Sequence, residues 1–228
     1  MEQTLYEELG HDRLRVRFSK YTRKAFQMLP KLEEPDILDV GCGSGVPTLE
    51  LASLTNGKII GIDIDQFLLN ILMKKVKETN LTNRIKTIKR SLFNMKFADE
   101  SFDIVWAEGS IFPIGFRGCL TEWRRIIKPH GFLVLHDEIG EVENKLALIA
   151  SCGYDLISHF LISGDIWWTE YYQPLENRIV ELRKKYQANL EVLAILDKEQ
   201  NGIDEFKQNP KHHGSIFFVM QKTNAQNQ

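Results

Sequence analysis

The chain has 228 residues and a formal net charge of -2, with 29 lysines and arginines against 31 acidic residues. It lacks the basic surplus that binding to a phosphate backbone needs, which excludes nucleic acid as the expected partner. Three cysteines without metal-ligand spacing argue against a disulfide framework and against structural zinc. The polar start and the absence of a long apolar run predict a cytoplasmic protein without a membrane partner.

The first predicted elements are a helix, a strand and a glycine-rich turn. An amphipathic helix over 13–29 precedes the strand and is placed to close over a ligand. Asp36 to Val40 is the mostly apolar run typical of a parallel strand covered on both faces. It runs directly into Gly41-Cys42-Gly43-Ser44-Gly45 and then a helix. A side chain at Gly41 or Gly43 would occupy space that a ligand needs, so the turn is predicted to bind one.

The second strand, Lys58 to Asp63, ends on a carboxylate that can accept both ribose hydroxyls of a nucleoside. The glycine spacing is G-x-G-x-G and not the G-x-G-x-x-G of dinucleotide sites, where a pyrophosphate meets the helix N-terminus. Asp39 stands two positions before the first glycine. A cofactor without phosphate but with an amino-acid arm would place its ammonium group near such a carboxylate.

Further helices and strands alternate along the middle of the chain. This alternation predicts an α/β fold with a parallel sheet and right-handed crossovers. The predicted elements are a helix over 65–79, a third strand over 85–90, a fourth over 102–107, a helix over 120–127 stopped by Pro129, and a fifth strand over 131–136.

The pattern changes after Gly153. Residues 154–162 and 215–221 are predicted to be the last two strands, but about fifty residues separate them where a hairpin needs about 2 to 5. Asp165 is expected to cap a helix over 166–172. Pro174 suits the first turn of another helix, whose shared apolar face would hold Leu175, Ile179, Leu182, Tyr186 and Leu190. The insertion is predicted to be a lid or substrate-recognition element.

Four ordered segments resemble the class I methyltransferases that use S-adenosylmethionine, and in particular the small type 11 group. They are Ile37 to Gly45, Gly61 to Asp65, Phe97 to Trp106 and Trp123 to Leu133. The resemblance implies a doubly wound, mostly parallel seven-stranded sheet of Rossmann-like type with an antiparallel last strand. The expected organisation is one domain over 1–228, with an N-terminal cap (1–35), a cofactor-binding core (36–162), a helical lid (163–214), a last strand (215–222) and a polar, frayed tail (223–228).

The same resemblance implies S-adenosylmethionine as the cofactor. The residues assigned to its site are Asp39, Gly41, Cys42, Gly43, Gly45, Asp63, Ile64, Ser91, Leu92 and Glu108. Cys42 is assigned as a small residue whose thiol need not react. Where many relatives have Asp-Ala after the third strand, this chain has Ser91-Leu92. The Ser91 hydroxyl can still accept a hydrogen bond from the adenine amino group, but more weakly than a carboxylate.

Glu108 and His136 are the candidate catalytic bases, because each ends a strand at the edge where an open sheet binds ligands. A solvated loop carboxylate and a hydrogen-bonded strand-end histidine are the simpler interpretations. His136, Asp137 and Glu138 also suggest a metal, but neighbouring strand residues point to opposite faces and do not readily meet one ion. We therefore predict no metal.

Trp167, Trp168, Tyr171 and Tyr172 form two pairs spaced i, i+4 on the predicted lid helix. Packing of the lid is the simpler interpretation of these aromatic residues. The alternative is a substrate wall that includes Trp167 and Tyr171 and that encloses a cationic or flat acceptor.

The predicted function is methyl transfer to a small-molecule acceptor by in-line displacement. The residues do not specify the acceptor atom or an oligomeric state. Three alternatives remain: methylation of a protein or nucleic acid, a non-catalytic cofactor-binding module of the same fold, and a nicotinamide-dependent oxidoreductase, which the glycine spacing disfavours.

Overall fold

A computed structural model describes residues 2–208 and 213–223. The described residues fall into two compact units. The core unit comprises residues 19–160 and 216–223, and the helical unit comprises residues 2–18, 161–208 and 213–215. The predicted N-terminal cap of residues 1–35 is therefore divided between the two units.

The sheet has seven strands. They are β1 (Asp36–Val40), β2 (Lys58–Asp63), β3 (Ile85–Lys89), β4 (Phe102–Glu108), β5 (Ile127–Glu138), β6 (Tyr154–Ile162) and β7 (Ser215–Lys222). Their order is β3-β2-β1-β4-β5-β7-β6. β1 pairs in parallel with β2 and β4, β2 with β3, and β4 with β5. The mostly parallel α/β sheet with an antiparallel last strand is confirmed.

The helices of the core unit are α3 (Ser19–Gln27), α4 (Val46–Leu54), α5 (Gln66–Glu78), α6 (Gly115–Glu122) and α7 (Val142–Ser151). Those of the helical unit are α1 (Glu2–Leu9), α2 (His11–Val16), α8 (Gly164–Trp167), α9 (Gln173–Lys185) and α10 (Leu190–Gln208), with a π-helix over Trp168–Tyr172 between α8 and α9.

The central strands of the sheet are buried. Four of the five residues of β1 are buried, and so are five of the seven residues of β4. Such runs fit strands without a solvent face, as the sequence of β1 predicts. Because β1, β2 and β4 are parallel, their carboxyl ends meet at one edge of the sheet, where the ligand site is expected.

Three predicted elements of the first two thirds of the chain differ from the structure by more than one residue at an end. The helix over 13–29 is interrupted between α2 and α3, where Arg17 caps α2 and Phe18 is buried. The helix over 120–127 is α6, which ends at Glu122 and is followed by a 3-10 turn over Arg124–Ile126. β5 begins at Ile127, before Pro129, and its register with β4 shifts between Phe102 and Ile104. A register irregularity tolerates a proline that a regular central strand would not.

The helical unit also differs from its prediction. Ser163, and not Asp165, caps α8, because its hydroxyl accepts the Ile166 N–H. The segment after Trp167 continues as a π-helix, which no sequence pattern indicated. α9 ends at Lys185, and Leu190 begins α10 with 81% of its surface exposed, so it does not share the buried face of α9.

The polar tail begins with an anchored residue. The backbone N–H and the hydroxyl of Thr223 both donate to the carbonyl of Gly153, at 3.0 and 2.9 Å. Residues 224–228 of the predicted frayed tail lie outside the described residues. Among residues 2–208 and 213–223, no helix combines the length and apolar character needed to cross a bilayer.

Candidate active site

The glycine turn after β1 is held by backbone hydrogen bonds to β2 and within the turn. The N–H groups of Gly41 and Cys42 donate to the carbonyl of Ile62 at 2.8 and 3.0 Å, and Gly45 N–H donates to the Cys42 carbonyl at 2.9 Å. All three glycines have positive φ, at 71°, 53° and 84° in chain order. Such φ values favour glycine, which explains the residue type at each position.

The space around each glycine differs. A β-carbon on Gly45 would lie 2.1 Å from a methyl of Leu72, and one on Gly41 would lie 2.2 Å from the β-carbon of Ser110. Protein atoms of Ser110 therefore fill the space beside Gly41 in which a side chain would lie, and the assignment of Gly41 to the cofactor site stays a prediction. At Gly43 the nearest described atom would be 3.9 Å away, on Leu68. Gly43 is the position of the turn where a ligand can approach the backbone.

Asp63 joins the glycine turn to the end of β2. One carboxylate oxygen accepts the Gly43 N–H at 2.8 Å, and the other accepts the Asp65 N–H at 2.9 Å. Each oxygen has a second lone pair, so both can still accept a hydroxyl group. The next side chain, Ile64, has 67% of its surface exposed. Asp63 and Ile64 together form a polar and an apolar contact surface beside Gly43.

Asp39 lies on β1 two residues before Gly41 and is buried, with 1% of its surface exposed. The hydroxyl of Thr48 on α4 donates to its carboxylate at 2.6 Å. Burial, together with the negative charges of Glu108 and Asp63, raises the pKa of Asp39 to about 7, against the opposing effect of the hydrogen bond from Thr48. A cation bound nearby would favour the ionised form, because opposite charge stabilises a carboxylate.

Cys42 contributes its backbone and not its thiol. Its side chain is buried, and burial raises the pKa of the thiol far above its usual range, as do the charges of Asp39 and Asp63. A β-carbon on Gly61 would lie 2.9 Å from the Cys42 sulfur, so Gly61 makes room for this side chain. The thiol is held in its unreactive neutral form.

Ser91 and Leu92 follow β3 at the same sheet edge. The Ser91 hydroxyl oxygen accepts the Phe93 N–H at 3.3 Å, and the Leu92 carbonyl accepts the Trp123 indole N–H at 3.3 Å. The Leu92 side chain packs against the hydrophobic core. These contacts fix the loop in which the adenine-binding residues are predicted.

Glu108 and His136 occupy the same level of the sheet, since they are register partners on β4 and β5. Glu108 is half-buried, and its Oε1 accepts hydrogen bonds from the Thr22 hydroxyl and the Trp106 indole N–H, each at 2.8 Å. His136 has 4% of its surface exposed, and its ring stacks on Phe217 with 4.3 Å between centroids. The structure thus brings the two predicted bases together, with Glu108 the more accessible.

Asp137 and Glu138 have separate environments. Asp137 forms an ion pair with Lys145 of α7 at 2.5 Å. Glu138 is exposed, and its backbone carbonyl accepts a hydrogen bond from the same lysine at 2.7 Å. The three consecutive residues that suggested a metal site therefore serve different contacts.

Trp167 and Tyr171 are held inside the helical unit. Trp167 stacks on Phe18 with 4.2 Å between centroids, and its indole N–H donates to the Ser215 hydroxyl at 2.8 Å. The Tyr171 hydroxyl lies 3.0 Å from Nδ1 of His11. Burial raises the pKa of Tyr171 to about 12, so its phenol is neutral. These contacts account for both residues by packing within this unit.

Sequence reasoning missed three residues of the site. Thr48 holds Asp39, Thr22 holds Glu108, and Ser110 donates to the Val40 carbonyl at 2.7 Å and packs on Gly41. Of the three, Ser110 is the one that the sequence could have indicated, because it lies two residues after Glu108. Thr22 carries no local signal, because its partner is 86 residues away in the chain.

Comparisons with known proteins agree with this architecture. The family model described as a methyltransferase domain matches residues 37–131, which lie in the core unit. A sterol 24-C-methyltransferase of Gibberella zeae is 24% identical over 215 residues, covering 81% of this chain and 54% of that protein. The chain spans about half the length, or less, of the first curated relatives it matches.

Solved structures with the same fold cover most of the chain. The [4+2]-cyclase SpnF has a TM-score of 0.74 at 18% identity, covering 90% of this chain and 80% of that one. A methyltransferase from Thiobacillus denitrificans in complex with S-adenosyl-L-homocysteine has a TM-score of 0.72 at 18% identity, covering 89% and 91%. The sheet order and these matches confirm the predicted fold, and the family model shows that residues 37–131 are similar to a methyltransferase domain.

Proposed function

We propose that this chain, which carries a class I methyltransferase domain, transfers a methyl group from S-adenosylmethionine to a small-molecule acceptor. The observation that carries the proposal is the hydrogen bond between Gly43 N–H and Asp63. It joins a glycine backbone that has open space beside it to a carboxylate at the end of the next parallel strand. That pairing supports a nucleoside site at the carboxyl edge of the sheet.

The residues fit the cofactor in charge and shape. Asp63 would accept the ribose hydroxyls, while Ile64, Ser91 and Leu92 would contact the adenine. Asp39 and the glycine turn would hold the amino-acid arm, whose ammonium group matches the buried carboxylate. Asp39, Asp63 and Glu108 make this edge acidic, which suits a ligand with two positive charges and disfavours a pyrophosphate. When bound, S-adenosylmethionine supplies a methyl group activated by attachment to a sulfonium.

The chain contributes orientation and, for a hydroxyl or ammonium acceptor, a base. Holding an acceptor in line with the transferred group accounts for much of the rate in such reactions. Glu108 is the better placed base, because it is half-buried whereas His136 is almost completely covered. We propose that Glu108 removes the proton. His136, its register partner on β5, would help to hold the strand end that carries Glu108.

A small-molecule acceptor is supported by the curated relative, a sterol methyltransferase, and by the slight acidic balance of the chain. Methylation of a nucleic acid is disfavoured by that balance. The fold alone does not decide the chemistry, since one structural neighbour is a cyclase. A substrate-contacting role for Trp167 and Tyr171 and a cytoplasmic location stay predictions.

Two measurements test the proposal. Calorimetric titration with S-adenosyl-L-homocysteine should show binding to the wild-type protein and a loss of tens-fold or more for Asp63→Ala, because charged hydrogen bonds contribute about 1.5 to 3 kcal/mol each. Asp155→Ala, which removes an exposed carboxylate on β6, is the matched control and should bind normally. Equal affinities of the wild-type protein and Asp63→Ala would remove Asp63 from the site.

The second measurement is transfer of labelled methyl from S-adenosylmethionine into a fractionated metabolite extract. Label in a small-molecule fraction supports the proposal, and label only in protein or nucleic acid supports the alternative acceptors. Tight binding of the cofactor without transfer into any fraction would favour the non-catalytic binding module.

A further inference from the structure

The core unit has a cavity at the amino ends of β1, β2 and β3, at the opposite edge of the sheet from the glycine turn. Its volume is about 470 Å³, which is within the range of small-molecule sites. The residues that line it come from the starts of these strands and from the segment over 97–102. No residue assigned to the cofactor is among them.

Part of the lining is apolar. Ile60 on β2 and Lys86 on β3 are register partners, and Lys58 precedes Ile60 by two residues, so these side chains share one face of the sheet. Phe97 and Phe102 also line the cavity, with their rings edge to face at 5.1 Å between centroids. Ile60 and Phe97 are only partly buried against the hydrophobic core. Apolar surface thus remains accessible for the body of a ligand.

Arg84 is a lining residue that is oriented by backbone carbonyls. Its guanidinium donates to the carbonyls of Ala52 and Gly57, at 3.0 and 3.1 Å, and also to the carbonyl of Thr55. Carbonyl groups satisfy these N–H donors but carry no net charge. The contacts therefore hold the guanidinium in place and leave its positive charge uncompensated.

The lining has an excess of positive charge. Three cations belong to it, namely Lys58, Arg84 and Lys86. Within residues 2–208 and 213–223, none of the three is paired with a carboxylate. The acidic residue of the lining is Asp36, which shares Lys128 with Asp103, at 3.1 and 2.8 Å. A concave site with such a surplus attracts anions.

We propose that this cavity binds a small organic anion that has an apolar body. The anionic group meets Lys58, Arg84 and Lys86, and the apolar body lies against Ile60 and the two phenylalanine rings. The site is separate from the methyl-transfer site, because Lys58 begins β2 and Asp63 ends it. The inference does not rest on the proposed function.

Fluorescence titration with anilinonaphthalenesulfonate tests the proposal, because this probe joins a sulfonate to an aromatic body. Phenylnaphthylamine has the same rings without the sulfonate and is the neutral comparison. The variant Lys58→Gln/Lys86→Gln removes two charges from the cavity, and both lysines are exposed, so the fold should be unaffected. Lys74→Gln/Lys77→Gln is the matched control, because these lysines are exposed on α5 and are not part of the lining.

Lys58→Gln/Lys86→Gln should bind the sulfonate probe about ten-fold more weakly than the wild-type protein, because two exposed ion pairs are lost. Lys74→Gln/Lys77→Gln should bind it normally. The neutral probe should bind more weakly than the sulfonate probe, and with the same affinity to all three proteins. Added salt should weaken binding of the sulfonate probe to the wild-type protein. Unchanged affinity in Lys58→Gln/Lys86→Gln, or an equal loss in the control variant, would overturn the proposal.

Competition shows where the probe binds and which part of it is recognised. S-adenosyl-L-homocysteine should not displace it, and inorganic phosphate should displace it only far above the dissociation constant of the probe. Displacement by S-adenosyl-L-homocysteine would place the probe at the cofactor edge and refute the proposal. Phosphate that competes as strongly as the probe binds would reduce the cavity to a simple anion site, which also refutes it. The dependence on the two lysines decides the proposal even if S-adenosyl-L-homocysteine does not bind, an outcome that bears on the proposed function alone.

Discussion

Ser110 occupies the space in which a side chain on Gly41 would lie. A β-carbon on Gly41 would come within 2.2 Å of the Ser110 β-carbon and 2.6 Å of its hydroxyl oxygen. The same hydroxyl donates to the Val40 carbonyl at 2.7 Å, which ties the loop after β4 to the end of β1. Gly41 is thus required by packing, whereas Gly43 has open space beside it. The two positions of this motif therefore require glycine for different physical reasons.

This difference predicts opposite phenotypes for two alanine variants. Gly41→Ala should lower the free energy of unfolding by more than about 2 kcal/mol, since overpacking adds to the strain of positive φ. Gly43→Ala should lower it by only about 1 kcal/mol, the strain alone, and yet lose affinity for S-adenosyl-L-homocysteine. Chemical denaturation and calorimetric titration of both variants measure the two quantities.

Ser110→Gly provides the control for the clash. The double variant Gly41→Ala/Ser110→Gly should recover part of the stability that Gly41→Ala loses, because the obstructing side chain is gone. A normal affinity of folded Gly43→Ala would show that the ligand does not approach the turn at this position.

The sequence predicted the sheet well because its signals are local. The apolar run before Gly41 and the carboxylate that ends β2 each indicate a strand and its ligand edge within a few residues. The positions of Asp63 and Glu108 at that edge follow from the same alternation of strands and helices. The resemblance then supplied the number of strands and the antiparallel direction of the last one, but not the order of the strands in the sheet.

The missing parts depend on contacts that are distant in the chain. Thr22 meets Glu108 across 86 residues, and Trp167 meets Ser215 across 48. No proline or glycine marks the break between α2 and α3 in the sequence. Ser163 caps α8 where Asp165 was predicted, although both are good capping residues. Tertiary packing determines such features, and the periodicity of apolar residues in the sequence does not report it.

Asp39 should make the stability of the protein depend on pH. Its pKa is raised from 3.8 to about 7 by burial, so between these values the folded state binds the proton and the unfolded state does not. Stability is therefore fully present below about pH 4 and falls as the pH rises through 7. Asp39→Asn has no carboxyl group to ionise, so its stability should not fall in this way and should exceed that of the wild-type protein at pH 8. The difference should be a few kcal/mol at most, because one pKa unit corresponds to about 1.4 kcal/mol.

Thermal melts of both proteins from pH 5 to pH 8.5 measure this effect. The difference in melting temperature should grow with pH and level off above pH 8. S-adenosyl-L-homocysteine, whose ammonium group favours the ionised carboxylate, should stabilise the wild-type protein more at pH 8 than at pH 6. A difference between the two proteins that does not change with pH would show that Asp39 titrates far from 7.

The three cysteines should differ in reactivity. Burial raises the pKa values of the Cys42 and Cys119 thiols far above their usual range, with further contributions from nearby carboxylates. Cys152 is only partly buried. An aromatic disulfide reagent at pH 8 should therefore modify one thiol of the folded protein quickly and all three after denaturation. Cys152→Ser should abolish the fast phase, and a fast phase that persists would show that a thiol of the core is accessible.

Substitution of Trp167 should have different effects if the residue only packs and if it contacts the substrate. Its ring stacks on Phe18, and its indole N–H donates to Ser215. Because Trp167 is only partly buried, Trp167→Ala should cost less stability than the about 3 to 5 kcal/mol that truncation of a fully buried tryptophan costs. Trp167→Phe keeps a ring for the stack and should cost less, mainly the hydrogen bond at about 1 kcal/mol. Denaturation curves of both variants give these values.

Turnover separates the two interpretations once a methyl acceptor is known. If Trp167 only packs, methyl transfer measured well below the melting temperature should follow the folded fraction in both variants. If it contacts the acceptor, Trp167→Phe should raise the KM for the acceptor, while the affinity for S-adenosyl-L-homocysteine stays within a few-fold of wild type. The stacking on Phe18 accounts for Trp167 within the helical unit, so we expect the first outcome. A stable Trp167→Phe variant with a raised KM would establish the substrate wall instead.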